Sequence, residues 1–279
     1  MKYIIAAAAN TGPDKDQNQD SILLKRIENP SAEMVFGVLC DGMGGLSEGE
    51  LASSTLVEAA LQWIESREDI LCADVADGSW LRDEWTKLLC VHNQYLLQYG
   101  RERGIRLGTT VVLMLIAYGQ YYVMNVGDSR AYEICGSIRR LTRDHSLVER
   151  QVELGILDRR EARTDSRRNI LTQCIGACDQ IYPDYAQGKV RPGAAYLLCS
   201  DGFYHKVEEE ELYRMTRREL ADEGRLNEHL WSVIQTLRAR GEFDDCSVGV
   251  IRTLSQGGSI TKKGGRPGYG RKASGIRYL

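Results

Sequence analysis

The sequence predicts an α+β protein, a four-layer α/β/β/α sandwich in which two packed, mainly antiparallel sheets are flanked by helices. Three observations lead there. Short apolar runs joined by tight turns mark antiparallel meander rather than alternating strand–helix units. Two helical stretches fall in the first half of the chain and two in the second, so each sheet has helices to cover its outer face. Finally, 279 residues that are 43% hydrophobic and 27% charged can bury a large core.

Residues 2 to 9 form an apolar run after one lysine, too short to cross a bilayer, and read as the first strand. Residues 21 to 27 and 34 to 40 are the next two, separated by Asn29-Pro-Ser-Ala-Glu33 as by a hairpin turn. Ser47 with Glu50 three residues on makes a capping box, and Leu51, Leu56, Val57, Ala60, Leu61 and Ile64 give the following helix a buried stripe. A second amphipathic helix spans 80 to 102 through Trp85, Leu88, Leu89, His92 and Leu96. Runs 109 to 117 and 121 to 126 join through Tyr118-Gly-Gln120, and 131 to 135 and 138 to 141 through Gly136-Ser137, as hairpins do. A short helix fits 146 to 154, opening a densely charged segment that reaches residue 170. Strands at 196 to 199 and 246 to 251 enclose helices at 208 to 219 and 226 to 239.

Residues 1 to 254 thus form one domain. From 255 to 279 there are seven glycines, six lysines or arginines and no acid, the composition of a basic, flexible tail. A net charge of -3 gives no basic face for nucleic acid. Eight scattered cysteines, several inside apolar runs, read as buried reduced thiols of a cytoplasmic protein. None stands in a Cys-x5-Arg loop, which disfavours thiol nucleophilic catalysis.

The chemistry gathers on aspartates. Asp41-Gly-Met-Gly-Gly45, Ser200-Asp-Gly202 and Asp244-Asp-Cys-Ser247 each follow or adjoin an apolar run that reads as a strand. Asp20 and Asp128 stand in similar turn-like contexts. Strand ends are where a fold can unite distant carboxylates, and several carboxylates in one cleft need a hard divalent cation. The pattern is that of a metal-dependent hydrolase.

Eight motifs in order, Asn18-Gln-Asp20, Asp41-Gly-Met-Gly-Gly45, Gly108-Thr-Thr110, Val126-Gly-Asp-Ser-Arg-Ala131, Leu141-Thr-Arg-Asp-His-Ser146, Leu171-Thr-Gln-Cys-Ile-Gly176, Ser200-Asp-Gly-Phe203 and Asp244-Asp-Cys-Ser247, closely resemble the metal-dependent protein phosphatases, the protein phosphatase 2C-like serine/threonine phosphatases of bacterial type. The resemblance covers about residues 3 to 253. It implies two Mn²⁺ or Mg²⁺ ions bridged by Asp41, with the Gly42 carbonyl on one ion and Asp201 and Asp244 on the other. Asp20 would hold water at the metals, and Asp128 with Asp201 would serve a third, weaker ion. Segment 145 to 170 corresponds to the family's variable flap beside the cleft. The substrates implied are phosphoserine and phosphothreonine proteins, the partner a cognate serine/threonine kinase, and the chain itself a monomer with no membrane span.

The chain departs from the family pattern at two positions. Gln19 stands where many relatives carry a metal-binding glutamate, and offers a carbonyl oxygen with less charge. Lys15 stands where the substrate-phosphate arginine is expected, keeping the charge without the bidentate fork. His145 and Arg130 read as braces of the flap base and the acidic cleft. A narrow-specificity regulatory phosphatase and a catalytically weak phosphoprotein-binding module are the alternative readings.

Overall fold

Successive side chains along a strand point to opposite faces, and most strands here are buried on both, so each sheet meets a layer on either side. The computed structural model describes residues 1–28, 33–44, 48–72, 78–254 and 276–278. One sheet holds β1 (Lys2–Asn10), β11 (Cys246–Leu254), β10 (Ala195–Cys199), β7 (Arg130–Ile134) and β8 (Ile138–Arg140) in that order, with every pairing antiparallel. The other runs β12 (Ile276–Tyr278), β2 (Asp20–Glu28), β3 (Glu33–Gly44), β5 (Val111–Ala117), β6 (Gln120–Val126) and β9 (Asp184–Lys189), with β4 (Leu107–Thr109) paired to the far end of β3.

Three apolar layers hold these sheets. Ile5, Leu24, Leu39, Met114, Tyr196 and Ile251 fill the space between them. Outside the second sheet, α1 (Glu48–Glu65) and α3 (Gly78–Arg103) pack Leu56, Ile64 and Trp85 onto Phe36 and Leu113. Outside the first, α7 (Glu209–Arg214) and α8 (Glu223–Ala239) set Leu212, Leu230 and Ile234 on Leu197 and Val250. The four-layer sandwich is therefore the fold.

The structure refines several expectations. The hairpins β5–β6 and β7–β8 belong to different sheets rather than one meander. Between them the chain turns at Gly127, whose φ of +103° favours glycine. A Cβ there would lie 2.6 Å from the Thr110 side chain. Short α2 (Glu68–Cys72), α5 (Arg159–Ala162) and α6 (Asp201–Tyr204) lack the length for a periodic signal. The expected helix at 208 to 219 divides into α7 and a 3₁₀ turn at Arg218–Leu220. The hairpin turn at 29–32 and the Ser47 cap lie outside the described residues. So does most of the segment expected to be a flexible tail, but Ile276–Tyr278 pair antiparallel with Leu23–Lys25. The unpaired backbone groups of an edge strand provide for that addition.

The charged segment begins with α4 (Leu147–Glu153), capped by Ser146, and includes α5. Its two ends are pinned together by the Ser146–Leu171 bridge and by Leu147 N donating to the Ile170 carbonyl at 2.8 Å. It is an excursion closed at its base, as a flap would be.

Candidate active site

Asp20 opens β2, and its cross-strand partner in register is Asp41 on β3. Partners in an antiparallel pair project to the same side of the sheet, so two carboxylates are placed side by side. The Asp41 backbone is held by Thr110 Oγ1, which accepts its N–H at 3.0 Å, and its carbonyl accepts from Thr110 N at 2.9 Å and Thr109 Oγ1 at 3.0 Å. Thr110 Oγ1 is itself 2.7 Å from Ser129 Oγ, beside Asp128.

The first sheet contributes through Ser200, at the end of β10 and the start of α6. Its Oγ donates to Asp20 Oδ2 at 2.8 Å and accepts from Ser247 N at 3.0 Å, so one hydroxyl joins the two sheets. Asp201 follows on the first turn of α6. Gly202 lies flat against the 244–245 loop, where a Cβ would come 2.1 Å from the Asp245 carbonyl.

Gly42 is glycine for a comparable packing reason. A Cβ on it would stand 2.0 Å from the Gly49 carbonyl and 2.6 Å from the Gln19 carbonyl. The β3 end and the α1 start touch backbone to backbone. Gly42 N also donates to the Gln19 carbonyl at 3.0 Å, and the Gln19 side chain lies against Gly49.

Lys15 sits in the loop between β1 and β2. Its ammonium pairs with Asp244, and with Asp245 at 3.0 Å, whereas its sequence neighbours Asp14 and Asp16 are exposed. Buried Asp245 also accepts from Gly12 N and Gln19 N, each at 2.9 Å. Burial opposes the Lys15 charge, but the hydrogen bonds and charges of Asp244 and Asp245 outweigh it and hold the ammonium above the ordinary lysine value.

Arg238, near the end of α8, carried no signal in the sequence. Its guanidinium donates to Asn10 Oδ1 at 2.9 Å, to the carbonyls of Asn10 and Thr11 at 2.9 and 3.1 Å, and to those of Glu242 and Asp244 at 3.0 and 2.6 Å. Five bonds fasten the loop bearing Lys15 to the loop bearing Asp244. His205, just after α6, has its Nδ1 3.9 Å from Asp201 Oδ2.

The flap base is braced by His145 and Arg130. His145 Nδ1 accepts from Gly127 N at 3.1 Å, which leaves Nε2 as the donor to Asp184 Oδ2 at 3.1 Å. Arg130 grips Asp144, with Nη2 at 2.6 Å, and lies 3.5 Å above the Tyr204 ring.

Electrostatics single out the carboxylates. Burial, then the charges of Asp20, Asp201, Asp128 and Asp244, push Asp41 well above the usual carboxylate range. Burial raises Asp128 likewise, with Asp201 and Asp144 adding to it. Asp20 is pushed up to about 7 by burial, with the Asp245 and Asp201 charges adding, although Ser200 and Ser247 hydrogen bonds favour its ionised form. Asp201 also reaches about 7 through burial and the Asp244 and Glu242 charges. Asp20 Oδ1 is buried with no hydrogen-bond partner. Among the described residues, no three acidic, histidine or cysteine side chains already stand in joint ligating geometry. An all-oxygen donor set of mutually repelling, desolvated carboxylates fits a hard divalent cation, which would relieve the repulsion and occupy the spare lone pairs.

Comparison with known proteins agrees with this geometry. The profile described as Protein phosphatase 2C matches residues 13–241. Protein phosphatase PhpP of Streptococcus pneumoniae is 30% identical over 211 residues, spanning 75% of this chain and 82% of PhpP. Serine/threonine phosphatase stp of Listeria monocytogenes is 30% identical over 224 residues, spanning 79% and 86%. The serine/threonine phosphatase of S. agalactiae superposes with a TM-score of 0.78 at 26% identity, covering 90% of this chain and 100% of that one. The catalytic domain of PstP, solved with two manganese ions, shares the fold with a TM-score of 0.71 at 23% identity, covering 91% of this chain and 100% of that one. The chain belongs to the protein phosphatase 2C family. It is a protein serine/threonine phosphatase of a metal-dependent family, and no described helix is long and apolar enough to cross a membrane.

Proposed function

We propose that this phosphatase hydrolyses phosphoserine and phosphothreonine in proteins by attack of water activated at two Mn²⁺ or Mg²⁺ ions. Asp41, the Gly42 carbonyl, Asp201 and Asp244 would hold the pair, Asp128 would serve a third ion, and Gln19 would support the site through a carbonyl oxygen. Such ions supply a nucleophile at neutral pH and neutralise charge on the phosphoryl oxygens. The observation that carries this reading is the convergence of Asp20, Asp41, Asp128 and Asp201 at the joined ends of both sheets, each raised in pKa by burial and by neighbouring carboxylates.

The chain's own groups then divide the work. Asp20, fixed by Ser200, is placed to take and pass a proton beside Asp41. Lys15 neutralises Asp244 and, once a cation takes over that duty, is free to meet the substrate phosphate. In the cytoplasm the chain would act as a monomer opposite a serine/threonine kinase.

The test is phosphate release from a phosphothreonine peptide with Mn²⁺ and with excess chelator. Turnover that chelation abolishes is expected. Tight peptide binding without release under any metal would establish the binding-module alternative instead.

A further inference from the structure

Between the flap and the α6–α7 region lies a cavity of about 520 Å³, with Asp128 in its wall. It therefore opens beside the carboxylate cluster. Part of its lining is apolar, from Ile138, Val148, Val207 and Leu212, and five arginines contribute to the rest.

The same lining carries five acids, Asp128, Asp144, Glu149, Glu208 and Glu209, but the two sets are not paired one to one. Arg130 is bound to Asp144, Arg140 to both Asp144 and Glu149, and Arg159 to Glu149. Both acids are thus shared already. Across the cavity, Glu208 pairs with Arg240 at 3.4 Å and Glu209 is exposed at the start of α7. Arg163 and Arg168 also line the space, and among the described residues neither has a carboxylate partner. Arg168 is half-buried and lines the same cavity as Tyr204 and His205, at the end of the active-site helix α6.

We propose that this pocket is a second anion subsite, in which Arg163 and Arg168 take a phosphate or carboxylate side chain flanking the phosphoresidue that is hydrolysed. The inference rests on the phosphatase reading for the identity of the first group. It adds a substrate class: segments that are multiply phosphorylated, or phosphorylated next to acidic residues. Two guanidinium forks match a phosphate dianion better than a single carboxylate, so the second phosphate is the stronger ligand. The apolar lining accommodates the intervening peptide side chains.

The experiment uses the full chain and a set of peptides with one phosphothreonine, carrying a neutral residue, Glu or phosphoserine at each of the four positions on either side. Fluorescence anisotropy without metal gives affinity, and phosphate release with Mn²⁺ gives kcat/KM. At one position the second phosphate is expected to improve binding and kcat/KM by about tenfold, with Glu intermediate. In Arg163→Ala/Arg168→Ala that ratio falls to about 1, and Arg168→Glu inverts it. Arg218→Glu, on the remote 3₁₀ turn, changes the net charge by the same two units and keeps the wild-type ratio. A wild-type ratio near 1 at every position, or a ratio that survives in the double variant, overturns the subsite. Discrimination in binding with no phosphate release would retain the subsite and refute the phosphatase reading. Release from all peptides at equal rates would do the reverse.

Discussion

Asp20 and Asp41 face each other in register across β2 and β3, two acidic side chains on one side of one sheet. Like charges so placed destabilise a strand pair, and here burial adds to the cost. A bound countercharge would convert this liability into a binding site, and two predictions rest on that arrangement.

Asp41→Asn removes the proposed bridging charge. Turnover of a phosphothreonine peptide at saturating Mn²⁺ should fall more than 100-fold, for a loss of about 3 kcal/mol of transition-state stabilisation. The metal-free variant should melt at a higher temperature than the wild type, because one repelling carboxylate is gone. Wild-type turnover in this variant would exclude a bridging role.

Stability without metal should decline as pH rises. Asp20 and Asp201 have folded-state values near 7 against an ordinary 3.8. Between those limits the folded chain keeps protons that the unfolded chain has lost, so each step up in pH favours unfolding. In chelator, thermal melts should lose on the order of a few kcal/mol across that window. Saturating Mn²⁺ should oppose the decline, since ions bind the deprotonated carboxylates. A flat melting profile in chelator would contradict the raised values.

Lys15 pairs with Asp244 and would compete with a metal ion for that carboxylate. Lys15→Ala should therefore lower the half-saturating Mn²⁺ concentration roughly fivefold, equivalent to about 1 kcal/mol. It should also raise KM for a phosphopeptide, with Lys15→Arg restoring it through a planar fork. An unchanged metal titration would mean that the ammonium does not hold Asp244 in solution.

Gly42→Ala tests the contact between the β3 end and α1. The added methyl has no room beside the Gly49 carbonyl, and the backbone must separate. A loss of about 2 kcal/mol in chemical denaturation is expected, together with weakened Mn²⁺ activation. Equal stability would show that the two segments part freely.

Much of this was legible in the sequence. Apolar runs revealed most strands because each is buried on both faces of a two-sheet core, and the motifs bearing Asp20, Asp41, Asp128, Asp201 and Asp244 lie where the fold brings strand ends together. β9 was missed because Asp184–Lys189 is half-exposed and has no apolar run; its pairing with β6 makes it a strand. The partners of Lys15 come from 229 and 230 residues away, and no local pattern encodes that distance. Arg238 read as an ordinary arginine in a last helical turn, since its role depends on two loops meeting at its tip.

β11 ends in one sheet at Leu254, and Ile276–Tyr278 lie along β2 of the other. Without those last residues β2 would be an outermost strand, presenting a row of unpaired amides and carbonyls to any neighbouring molecule. Ile276–Tyr278 cover that edge at Leu23–Lys25, the middle of β2. A version ending at 254 should keep its hydrolytic centre yet become prone to stack edge to edge, which light scattering at rising concentration would reveal.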